Sequence, residues 1–555
     1  MSALRAVVVI PARDEEARIG RCVAALAVQR DLAPGAFEVI LVLDRCTDAT
    51  ESVAGAAARA GGVALRVVHA PEPGVGAARR HGMDLACARL EEAGRPDGLV
   101  ACTDADTEVD PRWLAAQLRL VEGGADAVGG RIELDAREAR ALPAGTVGRR
   151  ADRARARMAA VVAEDPRAEH HFFSGASMAV TARAYRAVGG LEPAVALEDE
   201  AFARRLTDAG LRIVRSDLVR VTTSARTDGR APRGLARDLQ LGRWLARRRF
   251  DGRVFAAAEL LAAKGDTTIS VIVPARDCAA TVGAVLETAV MPYVRIGLVD
   301  EVVVVDGGSV DDTRARARET GARVVAEDDL MAEHGPAQGK GDAMWRGLAD
   351  TCGDVVAYLD ADTADPDPVH LLGLLGPLLT DPTIALVKGT FARPFADGAT
   401  VRAAEGGRVT ELMARPLLNL HAPELAGFEQ PLAGETAARR TLLEQVPFPV
   451  GYGVEVALLL DALALVGLDA LAEADLGTRQ NRHQPLRDLG AMAFAVLCAV
   501  EARTGRPGGP VAAGLVQPWA GGAIRDVPIL ERPPLGQLRA AAAAVRNGGA
   551  DGEAA

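Results

Sequence analysis

Short apolar runs alternate with longer stretches of helical spacing along this chain. Residues 7–10, 39–43, 65–68 and 99–102 are largely apolar and only four or five residues long. Runs of this length with little polar alternation suit strands buried on both faces of a parallel sheet. Between them, residues 17–27 and 50–60 carry helical spacing. The same alternation returns at 271–273, 302–305, 323–326 and 355–359. The pattern predicts an α/β fold with a mainly parallel, Rossmann-like sheet. Ligands of such sheets sit outside the carboxyl ends of the strands.

The alternation is a repeat. Pro11-Ala12-Arg13-Asp14 recurs as Pro274-Ala275-Arg276-Asp277, and the apolar run ending at Asp44 recurs as the run ending at Asp306. Asp104-Ala105-Asp106 recurs as Asp360-Ala361-Asp362. Three motifs return in order at an offset of about 260 residues, which predicts two related domains. The expected boundaries are a first domain at 1–225, an Arg-rich linker or helix at 226–266, a second domain at 267–505, and a Pro/Gly/Ala-rich tail at 506–555. The linker is expected to be a solvated face; docking of Arg243, Arg247, Arg248 and Arg249 on anionic lipid is the alternative.

Composition narrows the class. The chain has 555 residues, 49% apolar and 25% charged, which excludes a disordered or fibrous protein. A net charge of −11 argues against a nucleic-acid partner. Seven cysteines without a CxxC pair read as reduced thiols, so a cytoplasmic location is expected. The first residues lack the basic flank and apolar stretch of a signal peptide, and no run of 18 apolar residues predicts a membrane span.

The candidate chemistry lies at the strand ends. Two carboxylates one residue apart at a strand terminus, as in Asp360 and Asp362, can approach one divalent cation together. Hard oxygen ligands suit Mg2+ or Mn2+, which also take substrate phosphate oxygens. Lys340, one of three lysines, stands between two glycines, where the backbone can approach a diphosphate and the amine supplies a point charge. Plainer roles exist beside these. Asp44 and Asp306 suit turns, and Asp199 suits a helix N-terminus. His170-His171 is an adjacent pair, which on a strand would face opposite ways.

With these motifs in view, both halves resemble GT-A-type glycosyltransferases, whose D-x-D sequence holds a metal and a nucleotide-sugar diphosphate. The first half resembles glycosyltransferase family 2 through Ile10-Pro11-Ala12-Arg13-Asp14-Glu15-Glu16, Asp44, Gly74-Val75-Gly76-Ala77-Ala78-Arg79, Asp104-Ala105-Asp106, Gly175-Ala176-Ser177 and Glu198-Asp199-Glu200. The resemblance implies Pro11, Asp44 and Asp104 at the donor, Asp106 at the metal, and Asp199 as the base of an inverting displacement.

From about Ser270 to Arg503 the second half resembles the glucosyl-3-phosphoglycerate synthase family. Its motifs are Gly339-Lys340-Gly341-Asp342, Val387-Lys388-Gly389, Gly406-Gly407-Arg408-Val409-Thr410, Pro431-Leu432-Ala433-Gly434-Glu435, Gly451-Tyr452-Gly453-Val454-Glu455 and the stretch from Arg479 to Leu486. The resemblance implies a retaining transfer of glucose from UDP-glucose to 3-phosphoglycerate with Mg2+ or Mn2+. Pro274, Ala275, Asp306, Lys340, Asp360 and Arg479 are then donor-side residues. Arg408, Thr410, Tyr452 and Glu455 are acceptor-side residues, and Lys340 and Glu455 are catalytic candidates. Asp362 is a metal ligand. The family's metal-binding His aligns with Asn481, and His483 follows two residues on, so both are metal candidates. Where that family continues with Asn-Glu-Glu, this chain has Asp277-Cys278-Ala279.

Alternatives at this stage are a GDP-mannose donor, a non-catalytic binding role for the first half, and a nucleotidyltransferase. The last lacks its expected glycine-rich loop after residue 273. A homodimer is one expected assembly.

Overall fold

Every residue of β1 (Ala6–Ala12) is buried, and so are the last five of β2 (Phe37–Leu43). A strand this apolar has only one stable place, the middle of a sheet covered on both faces. The computed structural model describes residues 4–192, 198–229, 234–393, 395–397, 400–402, 407–479, 485–505 and 514–541. It divides into two units, Met1–Ala246 and Arg247–Ala555.

The first unit adds β3 (Leu65–His69), β4 (Leu99–Cys102), β5 (Thr107–Val109), β6 (Ala127–Leu134), β7 (Met178–Thr181) and β8 (Ile213–Thr223). Its sheet has the order β3-β2-β1-β4-β7-β6-β8-β5. The second unit has β9 (Arg249–Asp251), β10 (Ile269–Ala275), β11 (Glu301–Asp306), β12 (Arg323–Ala326), β13 (Val355–Tyr358) and β14 (Leu386–Ala392). A hairpin of β15 (Phe395–Asp397) and β16 (Thr400–Arg402) follows, then β17 (Thr436–Arg439), β18 (Phe448–Pro449) and β19 (Leu471–Thr478). This sheet runs β12-β11-β10-β13-β17-β14-β19-β9.

The two orders correspond strand for strand except at one edge. There β5 pairs antiparallel with β8, whereas β9 pairs parallel with β19. Register repeats as well: Val8 faces Val39 and Ala101, and Val271 faces Val302 and Ala357. The turn after the first strand is the same in both units. Asp14 and Asp277 take φ of 48° and 52°, a left-handed conformation that aspartate tolerates. Asp14 Oδ1 accepts from Thr47 N (2.7 Å) and Asp277 Oδ1 from Val310 N (2.9 Å). The next residue's N–H is donated to a helix-initiating threonine in both, Glu15 to Thr50 (2.6 Å) and Cys278 to Thr313 (2.7 Å).

Helices cover the sheets with apolar stripes. Ile19–Ala27 buries Ile19, Cys22, Val23 and Leu26, the spacing of one helical face. Val369–Thr380 buries ten consecutive residues, Val369 to Leu378.

The described residues of the stretch 226–266 fall in both units. Leu235–Arg247 is a helix that ends at the division. β9 then extends the second sheet, and the helix Ala257–Lys264 is anchored by Lys264 Nζ on Gly297 O (2.9 Å) and Asp300 (2.8 Å). The described tail also has structure. β20 (Gly514–Gln517) and β21 (Ala523–Asp526) form a hairpin, and β22 (Glu531–Arg532) pairs with β18. No helix among the described residues is long and apolar enough to cross a membrane.

Glu473 of β19 gives the second unit a pH signature. Burial pushes its pKa up to about 7, against backbone donation from Glu429 and the charge of Arg249. A raised carboxyl pKa means that the folded state holds the proton longer than the unfolded state. The associated stability is fully present below the unfolded value and is lost as pH rises to about 7. Thermal unfolding across pH 4–8 is expected to show this decline in the second unit, and Glu473→Gln is expected to flatten it.

Candidate active site

Asp360 stands two residues past the end of β13 and lies between two cations. Lys340 Nζ approaches Asp360 Oδ1 at 2.6 Å and Glu455 Oε1 at 2.9 Å. Arg479 Nη2 approaches Asp360 Oδ2 at 3.2 Å and Asp362 Oδ1 at 3.1 Å, while its Nη1 pairs with Glu435. Arg479 also lies over the Phe391 ring, 5.1 Å from the centroid. Lys340 is the first residue of the helix Lys340–Ala349, and Glu455 is in the first turn of Val454–Val466. Gly339 takes φ +131°, which only glycine adopts readily.

Glycines let these groups meet. A Cβ on Gly341 would lie 1.8 Å from Pro449 O, and one on Gly434 would lie 2.2 Å from Asp360 Oδ1 and 2.4 Å from Lys340 Nζ. Gly434→Ala is therefore expected to separate the Lys340–Asp360 pair and lower turnover about 10²-fold, since a displacement of about 1 Å costs that much. Steady-state rates of the folded variant check this.

Charge in the site is fixed by mutual compensation. Burial pulls Lys340 down, but Asp360 and Glu455 outweigh it and hold the ammonium above its usual range. Burial raises Asp360, but Lys340 and Arg479 outweigh it and hold the carboxyl below its usual range. Lys388 on β14 is fully buried, donates to Thr436 Oγ1 (3.1 Å), and is pushed down to about 8 by burial.

Of the other expected residues, Thr410 is buried, Arg408 is half-buried and Tyr452 is exposed. None of the three joins the ion pairs around Asp360 among the described residues. Asn481 and His483 lie outside the described residues. Asp306 accepts from Ser309 N (3.2 Å) and pairs with Arg314 Nε (2.5 Å), while its Oδ1 is buried with no hydrogen-bond partner among the described residues. Asp44 is alike: its Oδ2 accepts from Gly74 N (3.0 Å), and its Oδ1 is buried with no partner among the described residues. Both therefore act as turn residues and also keep one acceptor at a strand end. Pro11, Pro274 and Ala275 lie near the carboxyl ends of β1 and β10.

The first unit repeats the plan with different cations. Arg79 pairs with Asp104 (2.7 Å) and with Glu198. Arg226 pairs with Glu15 (2.7 Å) and with Asp106 (3.0 Å). Burial first, then Asp104, pushes Asp106 up to about 6 despite Arg226. Asp199 opens the helix Glu198–Asp208, accepts from Gly175 N (3.3 Å) and Glu200 N (2.9 Å), and has no described cation within ion-pair distance.

The donor sets fit a hard divalent cation. Asp360 and Asp362 present carboxylate oxygens on one turn, and Asp362 is 57% exposed, which leaves room for phosphate oxygens and water to complete the shell. Asp14, Cys46 and Asp48 also converge, but hydrogen bonds within the turn account for that cluster and its thiol suits Mg2+ poorly. His170 and His171 lie in a loop, not on a strand, and His170 Nδ1 accepts from Phe172 N (3.1 Å).

The family model described as "Glycosyltransferase like family 2" matches residues 5–247, and "Glycosyl transferase family 2" matches residues 270–428. A glucosyl-3-phosphoglycerate synthase of Mycolicibacterium smegmatis is 44% identical over 302 residues, covering 54% of this chain and 98% of that protein. The chain belongs to glycosyltransferase family 2. A further relative, a glucosyl-3-phosphoglycerate synthase of Petrotoga mobilis, is 40% identical over 234 residues, covering 42% of this chain and 71% of that protein. A crystal structure of the Mycobacterium tuberculosis glucosyl-3-phosphoglycerate synthase with Mn2+, uridine-diphosphate-glucose and phosphoglyceric acid is 43% identical. It covers 51% of this chain and 95% of that one, with a TM-score of 0.47.

As a family 2 glycosyltransferase the chain carries site residues that the sequence did not single out. Arg79, quoted above only as the end of a motif, is buried against Asp104, Arg226 is half-buried against Asp106, and Glu435, likewise the end of a motif, is a buried partner of Arg479. Position Val75 of the first unit aligns with Lys340, so the first unit has no lysine there. Arg79, one helical turn further on, supplies the cation instead.

Proposed function

We propose that the second unit transfers glucose from UDP-glucose to the 2-hydroxyl of 3-phosphoglycerate, with retention at the anomeric carbon. The observation that carries this reading is Asp360 held between Lys340 and Arg479 with Glu455 at the same ammonium. The relatives support it: a 302-residue match is longer than the first unit, Met1–Ala246. We assign the D-x-D residues, Asp360 and Asp362, to Mg2+ or Mn2+, with Asn481 or His483 as a further ligand. When bound, the cation supplies charge neutralisation to the leaving diphosphate.

The chain's own residues do the rest. Lys340 and Arg479 are fixed positive charges at the place where negative charge builds as the glycosidic bond to phosphate breaks. Asp306 Oδ1 offers an acceptor to the donor nucleotide, beside Pro274 and Ala275. Arg408 and Thr410 hold the acceptor phosphate, and Tyr452 borders the acceptor. The anomeric carbon gains the acceptor oxygen and loses the diphosphate oxygen, which takes the hydroxyl proton.

On this reading the two units also differ in stereochemistry. Glu455 is ion-paired to Lys340 at 2.9 Å, so on this reading it orients the ammonium beside the acceptor. Asp199 has no described cation within ion-pair distance, and on this reading it deprotonates the acceptor in an inverting displacement. On this reading the first unit is a second glycosyltransferase site with Asp104 and Asp106 at its donor.

The test is a mass-resolved product assay of the full chain with 3-phosphoglycerate, Mg2+ or Mn2+, and either UDP-glucose or GDP-mannose. The expected products are glucosyl-phosphoglycerate and UDP, with the α-anomer seen by proton NMR. Turnover with GDP-mannose alone, a β-glucoside, or release of pyrophosphate would each defeat the reading.

A further inference from the structure

The C-terminal strand β22 reaches the start of the Lys340 helix. Arg532 is buried and meets Asp342 with two parallel bonds, Nε to Oδ1 at 2.8 Å and Nη2 to Oδ2 at 2.7 Å. Its remaining N–H groups donate to His334 O and to Pro336 O (3.3 Å). Its guanidinium lies 5.7 Å from the Trp345 ring centroid, and Trp345 Nε1 donates to Pro533 O at 2.9 Å. Asp342 is two residues past Lys340. It also accepts from Gln338 N and from Arg346 Nε, both at 3.1 Å. Arg346 in turn donates to Leu330 O and to Gly335 O (2.6 Å). Two buried arginines thus share one carboxylate and satisfy the carbonyls of the irregular segment that leads into Lys340.

The same strand holds the other side of the ion pair. Val450 N donates to Leu530 O (2.9 Å), and Asp342 N donates to Val450 O (3.2 Å). From β18 the chain passes through Tyr452 into the helix that carries Glu455. The lysine and its carboxylate partner therefore rest on one C-terminal support.

We propose that Arg532 is a positioning residue for glycosyl transfer: through Asp342 it fixes the helix start that presents Lys340 to Asp360 and Glu455. The inference rests on the function proposed above for the second unit. It assigns a role to a residue that touches no substrate and lies outside every motif of the site.

The experiment compares the full chain with Arg532→Gln and Arg532→Lys. Steady-state kinetics are measured with UDP-glucose and 3-phosphoglycerate, and backbone hydrogen exchange is measured by mass spectrometry. Arg532→Gln is expected to lower kcat about 10²-fold while both KM values move less than about threefold, because a misplaced group costs rate before binding. Arg532→Lys, which cannot form the two parallel bonds, is expected to restore only part of the rate. Exchange is expected to quicken at 327–345 and to stay unchanged in β10 and β11. An unchanged kcat, or a loss that follows only a smaller folded fraction with exchange raised throughout the unit, would overturn the proposal. If the wild-type chain makes no glucosyl-phosphoglycerate, the function assigned to the unit fails. The exchange arm still decides: unaltered exchange at 339–345 in Arg532→Gln overturns the positioning role.

Discussion

Replacing Lys340 with methionine is expected to lower turnover of the second unit about 10³-fold, the scale of losing a preorganised donor in a water-poor site. The ammonium is held at 2.6 Å from Asp360 and 2.9 Å from Glu455, on the first residue of a helix whose entry only glycine allows. It needs no reorganisation when charge develops on the departing diphosphate. Methionine keeps the volume of the stem but leaves two neighbouring carboxylates without that cation. The loss is expected mainly in kcat, because the interaction strengthens as the bond breaks. Steady-state kinetics of the folded variant check it, and a loss below tenfold would remove Lys340 from the transfer step.

Arg479→Met is expected to act on stability as much as on rate. Arg479 is 1% exposed and serves three carboxylates, Glu435, Asp360 and Asp362. Removing one partner of a buried pair leaves an uncompensated charge, at a cost of about 3–5 kcal/mol. The second unit should unfold at lower urea concentration while hydrogen exchange in the first unit is unchanged. Arg479→Lys should rescue little, because one ammonium cannot span the forked geometry. Stability equal to wild type would show that Glu435 finds another partner or a proton.

The sequence made the sheet legible because its strands are short, apolar and repeated. Residues 7–10 and 271–273 lie within β1 and β10, and both D-x-D sequences follow the fourth strand of their sheets. Lys340 was legible because lysine is so rare here and stands between glycines. Two arginines were not. Arg226 and Arg532 look like any others in an Arg-rich chain, and Arg532 meets Asp342 across 190 residues. Nor did charge alone reveal that 226–266 divides between the units. The reason is a three-residue strand, β9, which adds to the second sheet by backbone bonds beside Glu473. The two sites also differ at the turn after the first strand: Glu15 pairs with Arg226 in the first unit, whereas Cys278 stands at the matching place in the second and its thiol donates to Arg276 O (3.1 Å).

The most direct test of the central claim is to measure glucosyl-phosphoglycerate formed from UDP-glucose and 3-phosphoglycerate by the full chain, by Asp360→Asn and by Asp104→Asn. The account predicts product from the wild type and from Asp104→Asn at similar rates, and a loss of about 10³-fold or more in Asp360→Asn. Undiminished product in Asp360→Asn, or loss in Asp104→Asn alone, would contradict it.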